Sequence, residues 1–391
     1  MKQTLKKKLN FPCSFLVLLG LFCHFSTARA EEVPYYGKIV QIKGGEFFMG
    51  NSKDTKLTHE SLQPQRVKVS DFLIDTTVAS NKDFEEFVKQ TGYVTESENY
   101  AWSFVLDLQT TDEAKEEELQ SIKDAPHWLA VPGAYWAVPN GKGSSASDIP
   151  HHPAVHLSYN DASAYCKWRK MRLPTETEWE FAARGGLERK KYPWGDTPPT
   201  EAGEGRLKKW KMNVWQGEFP EKNTKADGFV TTAPVNSFEP NGYGLYNTVG
   251  NVWEWTATKD IVQESNYILR GGSYLDSVDG SYNHPVSVNT RMTNSPDSAS
   301  SNTGVRCAKT VDNANEKGKK SKGYRYIETP EQKRAKKREK LKNLDQDLLA
   351  KIAEEGGIEA LQEYLGDAAH VATPEMLKKQ QEAIKKMREE L

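Results

Sequence analysis

The chain has 391 residues and a formal net charge of -1, and 27% of its residues are charged. A chain of this length can bury a sizeable core and has room for two or three domains. A net charge so close to zero gives no overall field that would favour nucleic acid or a membrane surface. Most of the tryptophans and glycines precede residue 315, and a dense charged block follows. This contrast predicts one aromatic, loop-rich body followed by a separate charged tail.

Residues 1–30 have the pattern of a cleaved secretory signal peptide. Four lysines among the first eight residues precede an apolar run from Phe11 to Phe25, which is short for a bilayer-spanning helix. The run Ala28-Arg29-Ala30 then has the small residues of a cleavage site. An uncleaved anchor is the alternative. After cleavage we expect no attachment to a membrane.

Two further features concern the compartment. Cleavage leaves Cys166 and Cys307 as the cysteines of the mature chain. In an oxidising compartment such a pair indicates one disulfide, with two separate buried thiols as the alternative. The chain ends in Arg388-Glu389-Glu390-Leu391, which resembles the endoplasmic reticulum retrieval signals of the Lys-Asp-Glu-Leu type. Together with the signal peptide, this ending predicts retention in the lumen of the endoplasmic reticulum.

The first half of the body alternates strand and helix patterns. Alternating apolar residues predict strands over 38–43 and 46–50 and a strand pair within 66–75. Composition predicts an exposed acidic insertion over 107–123 and a flexible loop over 139–150.

Three helix starts can be located from polar caps. Asn81 is expected to cap a helix over 82–90, and Asn160 one that runs through Trp168. Thr175 and Glu178 fit a capping box before a helix over 176–184, which the following glycines end.

Two groups of side chains have metal-ligand chemistry. His151, His152 and His156 lie close in sequence, but Pro153 and the apolar alternation favour the start of a strand over a metal cluster. Asn213, Asp227, Asn247 and Glu254 carry the oxygen ligands that hard cations prefer. Asx residues are also ordinary turn formers, so their spacing alone is weak support for a metal.

The region beyond residue 310 differs from the body. A basic linker over 311–328 precedes a charged, helical tail over 329–391, with helix starts at Thr329 and Thr373. Its first helix would place four apolar residues on one face, which fits docking on the body or on a partner helix: Leu341, Leu344, Leu348 and Ile352. The basic cluster over 333–338 fits a solvated helix face better than an RNA-binding site.

Several motifs of the body recur together in one known family. The runs RLPTETEWEFAARGG, YPWG, NGYGLYNTVGNVWEW, LRGGSY and GVRC resemble the formylglycine-generating enzyme, or sulfatase-modifying factor, family. The resemblance covers residues 36–310. It implies a single α+β domain with that family's fold, a loop-rich variant of the C-type lectin architecture.

The resemblance also implies what this chain lacks. The family's active enzyme holds copper(I) with two cysteines after the Arg-Gly-Gly-Ser-Tyr run, and oxidises a sulfatase cysteine to formylglycine with oxygen. The corresponding positions here are Asp276 and Ser281. Neither can supply the soft thiolate that copper(I) prefers or perform thiol redox chemistry. The runs ILRGGSYLDSVDGS and SPDSAS resemble a branch of the family that lacks this activity.

The resemblance further implies structural calcium and a disulfide. In the family, two calcium ions are held by side-chain and backbone oxygens. The matching positions are Asn213, Val214, Asp227 and Phe229 for one ion and Asn247, Gly250, Val252 and Glu254 for the other. Cys166 and Cys307 match the family's structural disulfide.

The expected function follows from this branch. We expect a non-catalytic protein without copper that binds sulfatases or the active formylglycine-generating enzyme, as a homodimer or heterodimer, and inhibits sulfatase activation. A lectin-like binding module is an alternative that rests on fold analogy. An active oxidase would require a new redox centre.

Overall fold

The computed structural model describes residues 38–50, 64–202, 208–261 and 263–311. The predictions for the signal peptide, for the linker and tail beyond residue 311, and for the retrieval signal Arg388-Glu389-Glu390-Leu391 lie outside these residues. Among the described residues, no helix is long and apolar enough to cross a membrane.

Short helices begin at hydroxyl caps. In the described ranges they are Asn81–Thr91 (α1), Glu96–Tyr100 (α2), Tyr159–Trp168 (α3) and Glu176–Ala183 (α4), with 3-10 turns at Asp107–Gln109 and Ala146–Asp148. Each α-helix has a capping box, and Thr175 and Glu178 form the one predicted for α4. The predicted caps Asn81 and Asn160 are wrong, because Ser80 and Ser158 hold those positions. A serine followed three residues later by an aspartate satisfies two backbone N–H groups reciprocally.

The strands are short and form several small sheets. They are Ile39–Ile42 (β1), Gly45–Met49 (β2), Gln65–Val69 (β3), Phe72–Asp75 (β4), Trp102–Leu106 (β5), Gln120–Ile122 (β6), Ala125–Pro132 (β7), Thr200–Ala202 (β8), Lys208–Trp210 (β9), Gly217–Glu218 (β10), Lys222–Asn223 (β11), Trp253–Lys259 (β12), Tyr267–Arg270 (β13), Arg291–Asn294 (β14), Thr303–Gly304 (β15) and Ala308–Thr310 (β16). The predicted strands are confirmed to within about one residue. The pairing within 66–75 is not, because β1 pairs with β4 and β2 pairs with β3.

Two sheets bring distant parts of the chain together. One has the order β1-β4-β16, so the last described strand pairs with one of the first four. The other has the order β14-β13-β12-β15, with antiparallel pairs except for the parallel contact between β12 and β15. The second sheet carries the Trp-Glu-Trp run of β12 and leads directly into the loop after β13.

The largest apolar cluster lies between α1, α3 and β12. Its members include Phe84, Tyr165, Trp253 and Trp255, all almost fully buried. The rings of Phe84 and Tyr165 stack with centroids 5.7 Å apart. Such aromatic contacts let a domain with little regular structure fill its interior.

Two segments differ from their predictions. The segment 107–123 is mostly exposed, as predicted, but it also contains a 3-10 turn, the strand β6 and the buried Ala114. The predicted strand start at residues 151–156 is wrong, since Pro153 forms only an isolated bridge with Ser80. The backbone of His156 has a φ of 58°, which a strand does not permit.

Candidate functional site

The loop after β13 contains the two positions where the family resemblance places cysteines. It begins with Gly271 and Gly272, whose φ angles are 97° and 75°. A Cβ atom on Gly272 would lie 2.9 Å from a methyl group of Val286. Glycine therefore lets the backbone turn tightly against the core at this point. The next residues, from Ser273 to Ser277, are buried.

Asp276 is the centre of this loop. Its side chain is 3% exposed. One carboxylate oxygen accepts from the Ser273 N–H and hydroxyl, both at 2.7 Å. The other accepts from the His284 N–H at 3.1 Å and from His284 Nδ1 at 3.0 Å. The carboxylate therefore joins the two sides of the loop and is fully engaged as a hydrogen-bond acceptor.

Ser281 has a different environment. It is exposed, and its backbone N–H donates to Asp279 Oδ1 at 3.0 Å in a turn that Ser277 closes. Hydrogen bonds to Ser281 lower the pKa of Asp279. The two positions thus separate into a buried acceptor and a polar turn residue. Neither offers a thiolate or a redox-active group.

His284 completes the site and was not predicted. The edge of its imidazole meets the Trp253 ring with centroids 5.0 Å apart, and its side chain is 23% exposed. A lone histidine eight residues after an aspartate gives no sequence signal, because the loop between them determines the contact. Ser273 and His284 both contact the carboxylate of Asp276. This order differs from a nucleophilic triad, in which the histidine lies between the hydroxyl and the carboxylate.

The first predicted calcium group converges around Asp227. The amide of Gln216 donates to Asp227 Oδ2 at 2.7 Å and also to the Val214 carbonyl. Asp227 Oδ1 accepts from the Phe229 N–H at 3.0 Å, and burial raises the pKa of its carboxyl. Asn213 donates through its amide to the Thr231 carbonyl at 2.9 Å. The Val214 carbonyl oxygen and Asp227 Oδ2, both predicted ligands, therefore face the same point, which the Gln216 amide occupies. Oxygens that converge in this way fit a hard cation.

The residues of the second predicted calcium site do not all have free ligand oxygens. The buried Oδ1 of Asn247 has no hydrogen-bond partner among the described residues, as expected of an oxygen that awaits a cation. Glu254 is already engaged, since it accepts from Arg306 at 2.7 and 2.8 Å and from Trp179 Nε1 at 2.7 Å. Gly250 and Val252 lie on the turn between them, and Gly250 packs against the Asn213 carbonyl.

The cysteines and histidines have structural environments. Cys166 and Cys307 form a disulfide between α3 and the segment before β16, with Cα atoms 5.5 Å apart. His156 is fully buried between Ser103 and the Pro139 carbonyl, whereas His152 contacts Thr232. In the described part of the chain, no three His, Cys, Asp or Glu residues form a group that could hold a metal ion.

Comparison with known proteins places these features in a family. The "Sulfatase-modifying factor enzyme 1-like domain" model matches residues 24–311. The "Inactive C-alpha-formylglycine-generating enzyme 2" of Bos taurus is 46% identical over 273 residues, covering 69% of this chain and 87% of that protein. The protein of the same name from Mus musculus is 46% identical over 274 residues, covering 69% and 85%.

A relative whose name does not include the word "Inactive" matches over a similar length. The "Formylglycine-generating enzyme" of Thermomonospora curvata is 44% identical over 305 residues, covering 73% of this chain and 97% of that protein. Overall identity thus does not separate the two kinds of relative. The family resemblance places thiols at two positions, and there this chain has a buried aspartate and an exposed serine. The chain belongs to the formylglycine-generating enzyme, or sulfatase-modifying factor, family, as a non-catalytic member with few helices and mixed helix and strand content.

Proposed function

We propose that this protein is a luminal protein of the endoplasmic reticulum that binds sulfatases or the formylglycine-generating enzyme and lowers sulfatase activation. The observation that carries the proposal is the buried, fully hydrogen-bonded carboxylate of Asp276, at a position where the family resemblance places a reactive thiol. The chain has the family's domain over residues 24–311, while the chemistry that would consume a bound substrate is absent. A protein of this kind can occupy a partner without modifying it.

A groove beside the loop is a suitable surface for such a partner. It has a volume of about 260 Å³ and is lined by nine residues: Ser97, Tyr100, Trp102, Ser103, Phe104, Ser295, Asp297, Ser298 and Ala299. Phe104 connects the groove to the loop, because the Ser301 N–H donates to the Phe104 carbonyl and the Tyr274 hydroxyl donates to the Ser301 carbonyl. Exposed Tyr and Trp beside hydrogen-bonding groups are typical of surfaces that bind polypeptides.

The test measures sulfatase activity in cells that express the active enzyme, a sulfatase and this protein. We expect the full chain to lower sulfatase activity and to be recovered with the sulfatase or the enzyme. Tyr100→Ala, in the groove, should weaken both effects. Leu187→Ala changes another exposed apolar residue and should leave them intact.

Three results would contradict the proposal. The first is unchanged sulfatase activity with no partner recovered by the full chain. The second is formylglycine in a sulfatase-derived peptide incubated with the purified protein, copper and a thiol, since that product requires an active oxidase. The third is secretion of the chain into the medium both with and without its last four residues.

Calcium is the cofactor we propose for the irregular loops. Asn213 and Asp227, with the carbonyls of Val214 and Phe229, would hold one ion, and Asn247 and Glu254, with the carbonyls of Gly250 and Val252, the other. The converging oxygens near Asp227 and the unpartnered Asn247 Oδ1 support this assignment. A bound ion would tie together segments that have few backbone hydrogen bonds of their own.

A further inference from the structure

An apolar face of the β5–β7–β6 sheet is open in the described structure. Side chains alternate along β5, so Ser103 and Val105 are buried while Trp102 and Phe104 lie on the outer face. Trp102 is 38% exposed, and its ring meets the Phe104 ring edge-on with centroids 4.9 Å apart. Exposed aromatic pairs of this kind are the residue types that anchor interfaces.

A groove of about 490 Å³ runs along this face. Its apolar lining comes chiefly from Trp102, Phe104, Ile122, Ala130 and Pro132, and the polar Gln120 and Ser121 of β6 lie among them. Ile122 lies on the edge strand β6 and is 38% exposed. A mainly apolar groove with an aromatic ridge beside it marks a binding site more often than scattered apolar residues do. The shape suits an apolar stripe of one helix.

The charge beside the groove restricts its occupant. Residues 112–118, immediately before β6, include five acidic residues and Lys115, which pairs with Asp107 at 2.7 Å. All of these residues except Ala114 are exposed. The occupant should therefore carry an apolar stripe with a basic cluster at one end. A second copy of the same face would instead place acid against acid.

We infer that residues 333–352 of the chain's own tail occupy this groove. Five of the six residues from 333 to 338 are basic, and the predicted helical stripe Leu341, Leu344, Leu348 and Ile352 follows directly. The basic cluster lies beside the acidic segment 112–118, and the leucines contact Ile122 and the aromatic ridge. The tail is thus a cover for the sheet rather than a separate module.

Chain length permits this contact. The 17 residues from 312 to 328 can span about 55 Å when extended. A domain of about 275 residues has a radius of gyration of about 19 Å, and half the circumference of such a body is about 75 Å, so that span reaches most of its surface. The tether also keeps the tail at a high effective concentration, which lets a small interface be occupied.

Zero-length crosslinking of the full chain tests the contact. A carbodiimide joins a lysine amine to a glutamate carboxyl with loss of water and without a spacer. We expect amide links between Lys333, Lys336 or Lys337 and the glutamates over 116–118. In a mixture of ¹⁴N- and ¹⁵N-labelled protein, the links should join peptides of the same label.

Matched variants locate the contact on the groove. Ile122→Asp should reduce the yield of these links at least tenfold, whereas Leu187→Asp, equally exposed at 37%, should not. Both positions are on the surface, so both variants should fold. The inference fails if the links are absent, if Ile122→Asp leaves their yield unchanged, or if mixed-label links predominate, which would indicate a second copy. Trp102 and Phe104 line both grooves, but the links are measured on the isolated protein, so these outcomes do not depend on sulfatase binding.

Discussion

At the scale of single residues, Asp276 and Ser281, the two positions where the family resemblance places thiols, have different environments. Asp276 is buried and joins Ser273 to His284, whereas Ser281 is an exposed turn residue. Replacing a reactive group with a buried carboxylate is stable only when hydrogen bonds satisfy it. The aspartate therefore has a structural role at its position, and the serine requires no such partners.

These environments predict unequal effects of mutation. Asp276→Ala leaves the donors of the buried Ser273 and the partly buried His284 without an acceptor and should lower the free energy of unfolding by about 3 kcal/mol. Ser281→Ala should change it by about 0.5 kcal/mol or less. Urea unfolding of both variants measures the difference. Equal effects would show that Asp276 does not hold the loop.

His156 makes stability depend on pH. Complete burial lowers its pKa from 6.5 to about 4. Because the pKa of His156 is lower in the folded state than in the unfolded state, the residue contributes to the free energy of unfolding above pH 6.5. This contribution is lost as the pH falls towards 4. The full loss is about 3 kcal/mol.

The contribution of His156 is measured by comparing how the free energy of unfolding changes with pH in wild-type protein and in the His156→Gln variant. Between pH 6.5 and 4, wild-type protein should lose about 3 kcal/mol more stability than His156→Gln. His151→Gln, at an exposed position, serves as the control and should keep the wild-type pH dependence. Parallel curves for all three proteins would mean that His156 does not titrate as its burial implies.

At the scale of elements, local signals were readable and long-range contacts were not. The α4 capping box was predicted because Thr175 and Glu178 are three residues apart, and local spacing decides that contact. The pairing of β1 with β4 depends on packing between distant segments, so alternation alone suggested the wrong neighbour. The contact of Arg306 with Glu254 spans 52 residues and left no pattern in the sequence.

The irregular segments between α4 and β12 should depend on calcium. We expect chelation of calcium to lower the midpoint of thermal unfolding and restored calcium to recover it, because a ligand that binds only the folded state stabilises that state. Asp227→Ala should remove the part of this response that comes from the ion held by Asn213 and Asp227. Glu239→Gln, at an exposed carboxylate, should retain it. If chelation leaves the wild-type midpoint unchanged, calcium has no structural role here.

At the scale of the whole molecule, the disulfide joins residues 141 positions apart. Closing so long a loop restricts the unfolded chain and contributes about 4–5 kcal/mol on the chain-entropy model. The double variant Cys166→Ser and Cys307→Ser should lose about that much stability in urea. Wild-type protein unfolded in reductant should match the variant; a wild type insensitive to reductant would contradict the assignment.

The closing contacts of the domain also have a consequence for its synthesis. Strand β16 pairs with β4, and Arg306 donates to the Asp75 and Tyr246 carbonyls. A ribosome makes these partners first and residues 306–310 much later, so the early segments wait unpaired during most of translation. A premature stop anywhere before Arg306 would therefore yield a chain that cannot close, rather than a shorter working domain.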